Sequence, residues 1–309
     1  MKIALDMLGG DYAPKECTLG VRDFISKNNQ AHLVLIGNES DIQKDLSDSE
    51  LSRCTIVHTS DAIDMHEHPV KAMKEKPNAS MNIGFSMLAK GDVDAFVSAG
   101  NTGVMLVGAA HIIKTIDGVL RPTIPSIVPK VNGQFGIMCD VGINADCKPE
   151  NLNQFATLAY QYTKEIMGIA NPRVALLNIG EEEGKGNILA QATYPLLKEN
   201  QHINFIGNIE GRDLFTDNYD VVICDGFTGN IVLKLCESIY DVVVKERNLS
   251  DEFLLRFNHQ LYGGVPVLGI NKPVVVGHGI SDASSFSGML QVAEKMISTN
   301  ILGNVSRFL

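Results

Sequence analysis

Four segments of the chain share one construction: a short, strongly apolar run stops at Gly, Asn, Thr or Asp and passes directly into helix-like sequence. They are AFVSAGNTG (95–103), VALLNIGEEEGKGN (174–187), VVICDGFTGN (221–230) and VVVGHGISDASS (274–285). Backbone N–H groups at the start of a helix lack intrahelical partners and favour an anion, so the chemistry this pattern offers is the holding of something phosphate-like. Lys185 stands between Gly184 and Gly186 on the second loop. Glycine there permits close backbone approach, which makes Lys185 the first choice for a phosphate-binding cation, with backbone donors from Gly103, Gly229 and Gly186. An exposed loop lysine is the plain alternative. His278, flanked by glycines after a buried strand, is better placed for chemistry than His32 or His58, which alternate with strand residues and read as packing. His66 and His68 flank Glu67, but two histidines at i, i+2 do not share a helix face, so no metal site is expected.

The elements that must position these residues follow from the same runs. A continuous Val/Ile/Leu/Ala stretch reads as a strand buried on both faces, and small polar residues after it open a loop at its carboxyl end. The four loops are therefore expected to share one rim, where open α/β sheets bind ligands. Strands are expected at 2–6, 32–37, 54–59 and 95–98, with helices from near Pro14, over about 80–90 and over about 103–114. The first helix would bury Val21, Phe24 and Ile25. IPSIVPKVNGQFGIMCD (124–140) carries two apolar runs around Asn132 and Gly133, a hairpin signal that makes the sheet mixed. A helix entered at Pro149 runs to about Met167, and three more strand-loop-helix units follow. No linker or low-complexity tract separates lobes, and the Thr-Gly pairs at 102–103 and 228–229 hint at an internal duplication.

Composition narrows the function classes. The 309 residues suffice for a sizeable core, and 45% hydrophobic content excludes an extended polar tail. No segment reads as the apolar span of roughly 18 residues that a bilayer crossing needs. The opening MKIALDMLGGD is broken at Asp6 too early for a signal peptide, so a cytoplasmic protein is expected. The net charge of −10 argues against a nucleic-acid partner, although Lys71, Lys74 and Lys76 lie close enough to steer an acidic one. Six cysteines without a CxxC pair read as reduced, mostly buried thiols. GEEEGKGN has three residues between its first two glycines and Gly186 after the lysine, so it fails the P-loop pattern. Neither a G-x-G-x-x-G after the first strand nor a G-x-S-x-G elbow is present, which disfavours NAD chemistry and a hydrolase serine.

Taken in order, the segments resemble one family: the phosphate:acyl-acyl carrier protein acyltransferases of bacterial phospholipid synthesis, the PlsX family. The resemblance is carried by Asp6 to Asp11 with Pro14, SAGNTG (98–103), Arg121-Pro122, CDVGINADCKPE (139–150), LLNIGEEEGKGN (176–187), IGNIEGRD (206–213), CDGFTGNIVLK (224–234), YGGVPVLG (262–269) and Gly277-His278-Gly279. Leu8 stands where the family usually has Met, Ile143 where it has Ala, and HGIS where it has HGSS. These changes bear on fine specificity.

The resemblance implies an α/β fold like isocitrate and isopropylmalate dehydrogenases and phosphotransacetylases: three-layer α/β/α with a mixed sheet, two intertwined subdomains around a cleft, and one catalytic unit over residues 1–309. It also implies that inorganic phosphate attacks the thioester of a long-chain acyl-acyl carrier protein, giving acyl phosphate and free carrier thiol. No metal or bound cofactor is implied, and the protein would be a homodimer. Phosphate is itself the nucleophile, so the protein must hold an anion beside a carbonyl rather than supply a Ser or Cys. Lys185, Asn230, His278 and Asp225 are then the catalytic candidates, with Asp6, Gly9, Gly10, Asn101, Thr102, Gly103, Gly186, Thr228 and Gly229 as substrate or phosphate contacts. Asn230 and Asn101 carry amides suited to an oxyanion or, equally, to capping a helix. His278 would protonate the leaving thiol or bind phosphate. Asp6 and Asp225 would orient Lys185 or a donor amide, or else anchor loops. Cys139 and Cys224, each before an aspartate, read as small buried hydrophobes rather than nucleophiles. The stretch 252–262, with Phe253, Leu254, Leu255, Phe257 and Leu261, would pack in a core or dimer interface, or touch a membrane as the resemblance implies. A short-chain acyl-coenzyme A transferase and a non-catalytic ligand-binding or scaffold protein are the other functions compatible with these features.

Overall fold

A computed structural model describes residues 1–28, 30–258, 262–305, 307 and 308. The chain divides into two compact units, residues 1–116 with 260–302 and residues 117–259 with 303–309. It thus leaves the first unit, builds the second, and returns.

The first unit opens with β1 (Lys2–Asp6), α1 (Lys15–Lys27), β2 (His32–Gly37), α2 (Glu39–Asp45), α3 (Asp48–Leu51), β3 (Cys54–His58), α4 (Pro69–Glu75), α5 (Ser80–Lys90), β4 (Ala95–Ser98) and α6 (Thr102–Gly108), which widens into a π turn over Ala109–Ile113. The strands are the expected apolar runs, and α5 ends at Gly91 in the left-handed conformation (φ +83°) that closes a helix without a Cβ clash. The second unit contains β5 (Pro125–Pro129), β6 (Phe135–Cys139), α7 (Pro149–Met167), β7 (Arg173–Leu177), α8 (Ile188–Glu199), β8 (Asn204–Ile209), β9 (Val221–Ile223), α9 (Gly226–Ile239) and, after a π-helical segment, α10 (Glu252–Leu255). The first unit is then completed by β10 (Val265–Pro266), β11 (Val274–Val276) and α11 (Ala283–Ser298), and α12 (Ile301–Val305) follows.

Each unit has its own mixed sheet. The first runs β10-β11-β4-β1-β2-β3 and the second β5-β6-β9-β7-β8. All pairings are parallel except those of the outermost strands, β10 with β11 and β5 with β6. In the first sheet the order reverses between β1 and β4, a topological switch point. Phe96 of β4 meets Phe85 of α5 edge-on with ring centroids 5.0 Å apart. In the second, Met138, Ala175, Val222 and Tyr219 form a buried cluster that Val232 and Leu233 of α9 pack against.

The expectation of a single rim is corrected by this partition. The SAGNTG and GHGIS loops follow β4 and β11 of the first sheet, whereas the NIGEEEGKGN and DGFTGN loops follow β7 and β9 of the second. Both sheets are rich in the same residue types, so nothing in the local pattern assigns a strand to one or the other. The expected helix over about 103–114 is present, but its last turn is π-helical. Ile25 is half-buried rather than core. Among the described residues no helix is long and apolar enough to cross a membrane.

Candidate functional site

On the first unit's rim, Asp6 is buried at the end of β1 and joins two loops across the switch point. Its carboxylate accepts from Ser98 Oγ at 2.7 Å and from the Leu8 N–H at 3.0 Å, and Ser98 Oγ in turn accepts from the Gly100 N–H at 2.9 Å. Burial pushes the Asp6 carboxyl above its usual range, against the pull of the Ser80 and Ser98 hydroxyls and the Leu8 and Gly9 amides. Of the two roles open to Asp6, the geometry is that of a loop anchor. Gly9 lies against Asp6 and Gly100, and Gly10 (φ +107°) turns the chain so that the Asp11 N–H donates to the Gly279 carbonyl at 2.7 Å. That bond sets the exposed His278 loop beside the Gly9–Gly10 loop.

Asn101 is not an available oxyanion donor. Its Oδ1 caps α6 by accepting from the Val104 N–H at 3.1 Å, while its Nδ2 is engaged by the carbonyls of Asp64, Met65 and Glu67 at 3.0, 3.2 and 3.0 Å. Gly103 packs on Pro69 of α4, and Thr102 is exposed. The same α4 carries Lys71 and Lys74, both exposed, whereas Lys76 pairs with Glu67 at 2.7 Å. His32 and His58 are hydrogen-bonded rather than simply packed, to Thr55 Oγ1 at 2.8 Å and from the Glu39 N–H at 3.2 Å.

The second unit's rim brings together the carboxyl ends of β6, β9 and β7, which run parallel with β9 central. Asp225 caps α9: its carboxylate accepts from the Thr228 N–H and hydroxyl, both at 2.8 Å. The next turn is docked on the loop after β6. The Gly226 N–H donates to the Asn144 carbonyl at 2.7 Å, and Asp140, fully buried, takes the Asn144 N–H at 2.7 Å, its side-chain amide at 3.0 Å and the Ile124 N–H at 3.2 Å. Gly229 is required for close approach, since a Cβ there would lie 1.9 Å from the Asp140 carbonyl oxygen. Its N–H is committed to the Asp225 carbonyl at 2.9 Å, so Gly229 serves packing and is not the backbone donor expected from sequence. Asn230 is exposed one residue on, and its Nδ2 donates one hydrogen to the Val141 carbonyl at 3.2 Å. An amide has two hydrogens, so a second remains for a ligand.

Lys185 lies on the loop between β7 and α8. Its side chain is half exposed, with Nζ 3.8 Å from Glu182 Oε1, and its stem passes over Gly180, where a Cβ would come within 3.0 Å of Lys185 Cγ. Gly186 (φ +98°) approaches Asn178 so closely that a Cβ would sit 2.3 Å from its Oδ1. Asn187 caps α8 by accepting from the Ala190 N–H at 2.8 Å.

The cysteines are free thiols, and Cys139 and Cys224 are buried. Burial pushes both thiols well above the usual range, and it raises Cys54, Cys147 and Cys236 to about 11. Such groups are not nucleophiles at neutral pH. Among the described residues no group of His, Cys, Asp and Glu is arranged to hold a metal ion. Phe253 and Phe257 pack edge-on against each other and against Phe215 at 5.2 to 6.3 Å between centroids. That leaves Leu255 as the exposed large apolar side chain of α10, while Leu261 lies outside the described residues. Sequence reasoning gave Asp140 and Asn144 no role, although an aspartate closing an apolar run was the signal that singled out Asp6 and Asp225.

A family model described as a fatty acid synthesis protein matches residues 1–303. A phosphate acyltransferase of Dictyoglomus turgidum is 41% identical over 321 residues, covering 97% of this chain and 95% of its own. One from Thermoanaerobacterium thermosaccharolyticum is 40% identical, covering 99% and 96%. Among solved structures, a phosphotransacetylase from Streptococcus pyogenes superposes with a TM-score of 0.66 at 18% identity, covering 96% of this chain and 94% of its own. A 4-hydroxythreonine-4-phosphate dehydrogenase from Klebsiella pneumoniae gives 0.53 at 14%, covering 96% and 99%. At these identities the structures bear on the fold alone, and that is the α/β fold expected from sequence.

Proposed function

The chain belongs to the fatty acid synthesis protein family, whose similar members are phosphate acyltransferases, and on that premise we propose that it moves a long-chain acyl group from acyl-acyl carrier protein to inorganic phosphate. The observation that carries the reading is the 41% identity over 97% of the chain. The second unit's rim supports it: a cationic side chain and a partly uncommitted amide lie on the segments that follow two neighbouring strands of one sheet, β7 and β9.

In this reaction a phosphate oxygen attacks the thioester carbonyl, the carbonyl oxygen becomes an oxyanion, and the C–S bond then breaks. The proton of monohydrogen phosphate ends on the carrier thiol, so acyl phosphate and free carrier are the balanced products. Lys185 is assigned to the phosphate, its charge holding the anion beside the electrophilic carbonyl carbon. Asn230 is assigned to the oxyanion through its second amide hydrogen, with Asp225 fixing the helix that carries it. A thiolate of free pKa about 8.5 leaves without strong acid help. His278 is assigned to protonation of the leaving thiolate or to phosphate binding, and His278→Ala tests it separately.

Purified protein incubated with phosphate and palmitoyl-acyl carrier protein, with hydroxylamine as a trap, is expected to give phosphate-dependent hydroxamate. Acetyl-coenzyme A in place of the carrier is expected to give little. The reverse preference would favour a short-chain transferase, and no product from either a binding role. Lys185→Ala and Asn230→Ala are each expected to lower turnover at least about tenfold with folding intact.

The same proposal includes acyl carrier protein as partner, with Lys71 and Lys74 available to an acidic surface, a cytoplasmic location and a homodimer. Phe227, Ile231 and Leu235 are exposed at i, i+4, i+8 along α9, and such a stripe suits a second copy of the helix. Leu235→Glu is expected to shift the mass in solution to that of a monomer. Reversible membrane contact through α10 rests on exposed Leu255. Liposome flotation lost in Leu254/Leu255→Glu would support it, and equal flotation would remove it.

A further inference from the structure

The loop that carries Lys185 has glycine at 180, 184 and 186, and a glycine-rich loop loses much conformational entropy when it is ordered. A lysine on a loose loop would bind an anion weakly, because ordering would accompany binding. The loop is not left loose. Asn208 Nδ2 donates to the Glu182 carbonyl at 2.9 Å, Gln191 Nε2 to the Gly184 and Gly186 carbonyls at 3.1 and 3.0 Å, and Asn178 Nδ2 to the Lys185 carbonyl at 3.0 Å. Three side-chain amides from three segments, the end of β7, α8 and β8, thus engage four carbonyls within five residues. Asn208 is buried, and its Oδ1 has no partner among the described residues. The fold accepts that loss at a residue whose amide holds this loop.

We propose that Asn178, Gln191 and Asn208 are positioning residues for phosphate, acting through Lys185. The inference rests on the assignment of Lys185 to phosphate. Two physical consequences of the clamp fit that task. Donation by the amides draws the negative ends of the loop's peptide dipoles toward the clamping side chains, leaving Lys185 Nζ as the group the loop offers to an anion. The clamps are also neutral: a carboxylate could not donate to these carbonyls, and it would set a negative charge beside the lysine. One of the three loop carboxylates is drawn aside as well, Glu183 pairing with Lys198 at 2.9 Å.

The test is steady-state kinetics of the hydroxamate assay with phosphate and palmitoyl-acyl carrier protein varied independently. Gln191 is exposed, so Gln191→Ala leaves the core untouched. It is expected to raise the KM for phosphate about five- to tenfold, as loss of two exposed hydrogen bonds that water partly replaces would, with the KM for the acyl carrier unchanged. Gln191→Glu, nearly isosteric but unable to donate, is expected to behave like Gln191→Ala, and Asn208→Ala to show the same selectivity together with a lower melting temperature. In the Lys185→Ala background the effect of Gln191→Ala is expected to vanish, because residues acting through one group are not additive. An unchanged phosphate KM in Gln191→Ala would overturn the inference. So would equal increases for both substrates, or full additivity with Lys185→Ala. Unchanged kinetics in Lys185→Ala alone would instead remove the phosphate assignment, and the inference with it.

Discussion

At the residue scale, the functional weight falls on how each polar side chain is already committed. Glu182 lies 3.8 Å from Lys185 Nζ, and both side chains are more than half exposed, so their attraction is screened and worth about 0 to 1 kcal/mol. Phosphate must compete with that carboxylate. Glu182→Gln is therefore expected to lower the KM for phosphate about two- to threefold, an effect that fades as salt is raised. The cysteines give a second residue-level expectation. Thiols raised by burial stay protonated at neutral pH, so iodoacetamide is expected to leave turnover unchanged over the time in which it consumes a small thiol. Rapid inactivation would return a cysteine to the reaction. Asn101 and Asn230 make the contrast plain: each follows a glycine after a buried strand, yet three carbonyls engage the amide of Asn101 and one engages that of Asn230.

At the element scale, α9 is the part whose placement decides the second rim. Asp225 was visible as an aspartate ending an apolar run, and the structure makes it the cap of α9. Its docking was not, because Asp140 and Asn144 are more than 80 residues away in sequence. Gly229→Ala sets a Cβ against a backbone oxygen that cannot move aside, so it is expected to cost about 2 kcal/mol or more and to abolish turnover. Gly184→Ala is the matched control: nothing lies within 4 Å of the added carbon, and stability is expected to change by less than about 0.5 kcal/mol. Thermal melts of the two variants check both. The β5–β6 arm is anchored in a way its sequence did not announce. Lys130, fully buried, donates to the Tyr219 carbonyl and lies 3.6 Å from Asp220, with its ammonium 4.7 Å from the Tyr219 ring centroid. Burial lowers the pKa of that lysine, with Asp220 and Asp217 opposing.

At the scale of the whole molecule, the second unit's stability is linked to pH through Asp220. Burial, the largest single influence, pushes its carboxyl up, but the side-chain and backbone N–H groups of Arg173, with Lys130, outweigh it and hold it below 3.8. A carboxyl whose folded pKa is depressed contributes fully above its unfolded value and loses the contribution as pH falls through the folded one. Asp220→Asn is thus expected to cost about 2 kcal/mol at neutral pH, and the difference from wild type in urea melts is expected to shrink as pH is taken below 3.8. What the sequence determined by itself is what depends on near neighbours along the chain. The strands as apolar runs, the hairpin around Asn132-Gly133, the helix entered at Pro149 and the family all follow from local pattern or motif order. Tertiary structure alone decided the rest. It divided four similar loops between two sheets, used up the amide of Asn101, packed Gly229 against the Asp140 carbonyl, and brought Asn208 of β8 to the Lys185 loop. These outcomes depend on which distant carbonyl completes a buried hydrogen bond, and neither composition nor periodicity encodes that choice.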